Sequence, residues 1–169
     1  MSTPAFDLKP LTKAGVPAAL EKANRYRLLN EPGEAESICL DVLGVEPDHQ
    51  PALVLLLLAL TDRFGRGFAV GPTQAQEVLA RLRDPYERVY YAGLVCERRA
   101  KAALSQGSIG VEFEAHDFVR EAMTHFEAAE RIRPAGNDDA LLRWNACARI
   151  IMRNNLVPRE AEPYEPSFE

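Results

Sequence analysis

Ala52-Leu53-Val54-Leu55-Leu56-Leu57-Leu58-Ala59-Leu60 is an unbroken run of nine apolar residues, closed by Asp48-His49 on one side and Asp62-Arg63 on the other. A membrane-spanning helix needs about 20 such residues. A run this short, with no polar stripe, predicts a helix that protein surrounds on nearly every side. The rest of the chain must therefore supply amphipathic elements to cover it.

Proline and glycine divide the rest into segments of suitable length. Val16, Leu20, Ala23, Tyr26 and Leu29 recur at helical spacing and predict a first helix within 11–30, with Pro17 tolerated in its first turn. Asn30-Glu31-Pro32-Gly33 breaks it, and a second helix is expected from Glu34 to about Val45, packing through Ala35, Ile38, Cys39, Val42 and Leu43. The apolar run forms the third helix, ending near Arg63 because Gly65, Gly67, Gly71 and Pro72 favour turns. Thr73 and Gln76 read as a capping box that opens a fourth helix reaching Leu82 or Arg83. Asp84-Pro85 joins an N-cap acceptor to a proline at N1 and predicts a fifth helix from Tyr86 to about Leu104. A sixth is expected to start between Val111 and His116 and reach Ile132, and a seventh to run from Asn137 or Asp138 to about Asn154. Residues 11–156 thus read as one helical domain. Residues 157–169, with three prolines and four glutamates, read as an extended acidic tail.

With 25 acidic against 20 basic side chains, the net charge of -5 gives the molecule no general attraction to DNA or RNA. Cys39, Cys96 and Cys147 are odd in number and form no CxxC pair, which points to buried thiols in a reducing compartment. Met1-Ser2-Thr3-Pro4-Ala5-Phe6-Asp7 lacks the basic, apolar and small-residue order of a signal peptide, so a cytoplasmic location without membrane insertion is expected.

Two stretches carry a family resemblance. Ala23, Tyr26, Ala35, Cys39, Val42 and Pro47 fall in one repeat register, and Ala122, Phe126, Ala129 and Pro134 match its second half. In this register the chain resembles the tetratricopeptide repeat, a pair of helices of about 34 residues with small residues where helices cross and a closing proline. Lys22 stands where leucine is usual, Cys39 replaces a common aromatic residue, and Trp144 falls at a small-residue position. The resemblance implies an all-α, right-handed tetratricopeptide-like solenoid of about seven helices. A non-repeating helical bundle is the alternative.

Arrays of this family line a concave face with the first helix of each pair. That places Pro17, Leu20, Asn24, Arg27 and Leu28, then Pro51, Val54, Leu58, Thr61 and Asp62, toward a groove for a protein or peptide. Such a mixed surface combines apolar affinity with polar orientation. Asn24 matches one position of the family's carboxylate clamp, but Leu20 and Leu55 replace its lysine and second asparagine, so a terminal carboxylate is not the expected ligand. A second candidate surface holds Arg131, Arg133, Arg143, Arg149, Arg153 and Arg159; Arg149 and Arg153, four apart, can share a face toward an acidic partner. The competing reading is that these arginines solvate the last helix and cover its apolar stripe. Exposure of part of Leu53 to Leu60 would support a homo-oligomer; burial within one array gives the same pattern.

Signals for chemistry are weak, and no catalytic, cofactor-binding or metal-binding residue is assigned. His49, His116 and His125 form no HExxH or compact Cys/His pattern. Glu121 and His125 can meet at i,i+4, an arrangement that usually serves a helix surface. Glu112, Glu114, His116 and Asp117 form a polar cluster able to bind a cation, but a solvated loop and helix start is the favoured reading. The glycines from Gly65 to Gly71 lack the lysine of a phosphate loop. The alternatives to an adaptor are a small helical enzyme without a recognisable motif and a nucleic-acid module using the C-terminal arginines. Phe126, Trp144 and Tyr90-Tyr91 would stack bases if exposed, but their apolar neighbours favour packing.

Overall fold

The computed structural model describes residues 5–66 and 71–160. Every regular element among them is helical: a 3₁₀ turn at Lys13–Gly15, then α1 (Val16–Leu28), α2 (Pro32–Val45), α3 (Gln50–Asp62), α4 (Pro72–Leu79), α5 (Pro85–Gln106), α6 (Val111–Arg131) and α7 (Asp139–Asn154). The expected tail beyond residue 160, with Tyr164 and Phe168, and the Gly67–Val70 part of the glycine loop lie outside the described residues.

Local chemistry accounts for most boundaries. Pro17, Pro32, Pro51, Pro72 and Pro85 each sit in the first turn of a helix, where a missing N–H costs nothing. His49 caps α3 by accepting the Ala52 amide on Nδ1 at 3.2 Å. The Asp84 carboxylate accepts the Tyr86 and Glu87 amides at 2.7 and 3.2 Å. Gly107, at φ +64°, supplies the left-handed residue that closes α5.

Helix α4 departs from expectation at both ends. Pro72 starts it after Gly71, so Thr73 lies inside the helix and caps nothing. It stops at Leu79 because the following residues are held elsewhere: Arg81 donates to the Pro47 carbonyl at 2.5 Å and the Arg83 amide donates to Gln50 Oε1 at 2.9 Å. Leu82 is buried between these two ties.

Among the described residues each helix packs on the next, and α1 also touches α3, α3 touches α5, and α5 touches α7. The even-numbered helices make no comparable contact among themselves within the described residues. Two apolar clusters result among the described residues. The first gathers α1 to α4 around Leu53, Leu56, Leu57 and Leu60 and takes in Val95 of α5; the second gathers α5 to α7 around Phe126, with Leu156 packed beneath. Ala23, Ala35, Cys39, Val42, Ala122, Phe126 and Ala129 are all fully buried. No helix among the described residues is long and apolar enough to cross a membrane.

Candidate functional site

Burial of α3 is nearly complete but not uniform. Ala52, Leu53, Leu55, Leu56, Leu57, Ala59 and Leu60 are buried, whereas Val54 and Leu58, one turn apart, remain half-exposed. Together with Pro51 they form the strip that α1, α2 and α4 leave uncovered. Leu20 and Asn24 of α1 face this strip, Gln50 and Glu87 flank it, and the side chains enclose an open groove of about 450 Å³. A volume of this size suits a few side chains of an extended or helical segment.

The polar groups of the groove differ in their freedom. Gln50 is engaged with the Asp48 and Arg81 carbonyls and the Arg83 amide, which ties the edge of the groove to the α4–α5 connection. Asn24 and Glu87 make no side-chain hydrogen bond or ion pair with another described residue. Burial, then the neighbouring Asp84 charge, raises the Glu87 carboxyl above the ordinary carboxylate range.

Farther along the same helices, Asp62 of α3 is joined to both α1 and α5. Its Oδ2 lies 2.7 Å from Arg27 Nε of α1, and its Oδ1 accepts Arg98 Nη1 of α5 at 2.7 Å. Arg27 also donates from Nη2 to Asp62 Oδ1 at 3.5 Å, while its Nε–H is not aligned for a hydrogen bond. The first turns of α3 and α5 meet beside Leu20, and a later turn of α5 meets the end of α3 at Asp62. The three helices therefore run in the same direction, with the apolar groove toward one end and two guanidinium groups about a single carboxylate toward the other.

Of the residues singled out in the sequence, Leu20, Asn24, Val54 and Leu58 meet in the groove, and Arg27 and Asp62 form the ion pair beyond it. Thr61 does not face the groove: it is buried, and its hydroxyl donates to the Leu58 carbonyl at 2.9 Å. Pro17 and Leu28 are exposed outside it. Arg149 and Arg153 are exposed on α7, with no ion-pair partner among the described residues. Three of the other C-terminal arginines have contacts of their own. Arg143 turns inward to Glu97, Arg133 pairs with Asp138 at 2.7 Å, and Arg159 lies over the Phe113 ring.

Glu97 went unmarked in the sequence. It is completely buried in α5, with Arg143 Nη2 of α7 at 3.1 Å, Lys101 Nζ at 3.4 Å and the Cys147 thiol donating from 3.7 Å. This polar knot links α5 to α7. Phe126 is fully buried, Tyr90 packs on it with ring centroids 5.7 Å apart, and Trp144 donates to Glu127 at 2.9 Å, so these aromatics are held by the protein itself.

All three cysteines are free and buried, and burial is the main cause that pushes each thiol up to about 12. Among the described residues, one group of metal-capable side chains converges: donor atoms of Cys96, Glu121 and His125 lie within 4.8 Å of one another. The Glu121–His125 pair was visible as an i,i+4 spacing. Its third member comes from the neighbouring helix and has no local signal. The Glu112, Glu114, His116 and Asp117 group does not converge in this way.

No family model, curated protein or solved structure matches the chain.

Proposed function

We propose that this protein is a non-catalytic cytoplasmic adaptor, a right-handed tetratricopeptide-like solenoid that holds a protein or peptide segment against its odd-numbered helices. The observation that carries this reading is the meeting of Leu20, Asn24, Val54 and Leu58 in one open groove. The ladder of contacts from α1 through α3 and α5 to α7 supports a repeating array, because each helix pair leaves apolar surface for the next to cover. The groove offers an apolar floor with Asn24 and Glu87 as unengaged polar groups. That combination suits a segment with one or two aliphatic side chains and a donor toward Glu87.

Selection of a random peptide library on the immobilised protein tests the reading. The expected result is a set of related peptides that bind saturably, with binding abolished by Leu58→Glu and retained by Glu77→Lys on the exposed side of α4. Light scattering of the same preparations gives the mass and shows whether a second copy occupies the face. A library that enriches nothing over the Leu58→Glu variant, or binding unaffected by that substitution, overturns it.

A further inference from the structure

Cys96 projects from α5 toward α6, where Glu121 and His125 stand one helical turn apart, and the three donor atoms approach within 4.8 Å of one another. The three side chains differ in freedom. Cys96 is 5% exposed and fixed by packing, whereas the Glu121 side chain is 58% exposed and that of His125 35% exposed. Ligands around a tetrahedral ion with bonds of about 2.0–2.3 Å sit roughly 3.5 Å apart. His125 Nε2 and Glu121 Oε1 are already 3.9 Å apart. Closing the remaining gap falls to these two partly exposed side chains, since Cys96 is buried.

We propose that Cys96, Glu121 and His125 form a zinc site that clamps α5 to α6.

The donor set selects the ion. A thiolate excludes magnesium and calcium, which take oxygen ligands, and a sulfur, an imidazole nitrogen and a carboxylate together suit Zn²⁺. Binding replaces the thiol proton with the metal and releases that proton to solvent. Three protein ligands leave a fourth position for water on the open, α6 side, which is also the route of entry. Arg99, three residues on from Cys96 in α5, lies over the Phe118 ring with its guanidinium carbon 4.2 Å from the centroid. The site links two helices of the second apolar cluster, so occupancy stabilises that half of the molecule by mass action.

Titration of the reduced full-length protein with cobalt(II) tests the site. The expected result is a single saturable site, with thiolate-to-cobalt charge transfer in the near ultraviolet and visible bands of tetrahedral strength, displaced by zinc. Cys96→Ala removes the charge-transfer band, while Cys39→Ala and Cys147→Ala retain it. Glu121→Gln and His125→Ala, both at partly exposed positions that keep the fold by circular dichroism, each weaken cobalt binding roughly tenfold or more. Zinc raises the melting temperature of the unsubstituted protein and not of His125→Ala. No charge-transfer band in the unsubstituted protein, a band that persists in Cys96→Ala, or binding indifferent to both α6 substitutions overturns the proposal.

Discussion

Glu97 has no exposed surface, yet Arg143 and Lys101, which neutralise it, keep 34% and 47% of their side chains in contact with solvent. The two sides of this knot therefore respond differently to truncation. Losing the carboxylate leaves two cations that can turn toward water, whereas losing Arg143 strands a buried charge with only the more distant Lys101 beside it. Arg143→Met is expected to cost about 3 kcal/mol and Glu97→Met clearly less, read from urea unfolding of both variants. Equal costs would show that the carboxylate carries no burden of burial. Nothing in Cys96-Glu97-Arg98-Arg99 distinguishes Glu97 as the inward residue. Its partners are contributed by α7 and by the next turn of its own helix, and only packing brings the α7 side to it.

At the level of elements, α5 was the most legible, because Asp84-Pro85 opens it with both an acceptor and a preset φ. Helix α4 was the least: its end depends on Pro47 and Gln50, which lie far back in the chain. The α5–α6 contact depends on a residue without a side chain. A Cβ at Gly93 would stand 2.8 Å from the buried ring of Phe126, whereas one at Gly44 in α2 meets nothing within 4 Å. Alanine in place of a helical glycine gains up to about 1 kcal/mol of propensity. Overpacking a filled core costs about 1–3 kcal/mol. Gly44→Ala is thus expected to raise the melting temperature and Gly93→Ala to lower it, with a net loss of about 1–2 kcal/mol for the latter. A gain at Gly93 would mean that α5 and α6 can separate freely.

Across the molecule, the two apolar clusters share one response to alkali. Cys39 lies in the first, Cys96 and Cys147 in the second, and burial raises each thiol from 9.0 to about 12. Between those values the unfolded chain has lost thiol protons that the folded chain still holds. The thiols' contribution to stability is therefore fully present below pH 9.0 and declines as pH rises toward about 12, by at most about 1.4 kcal/mol per pH unit for each thiol. Urea midpoints measured with a chelator from about pH 8 to about pH 10.5 are expected to fall, and replacement of all three cysteines by alanine to flatten that fall. An equal decline in the substituted protein would place its origin elsewhere.

The number of helices, most of their starts and the near-total burial of Leu53 to Leu60 follow from local rules: period, proline position, capping acceptor and the absence of a polar stripe. These rules act within a few residues, so the chain states them directly. The groove could be approached only through a repeat register. That register aligned Leu20, Asn24, Val54 and Leu58 but could not tell that Thr61 turns inward. Three arrangements were left to the tertiary fold: the Arg27–Asp62–Arg98 bridge, the Glu97 knot and the Cys96–Glu121–His125 group. Each needs polar atoms from different helices to meet within a few ångströms. That meeting is set by which faces the helices bury against one another, and no local spacing encodes it.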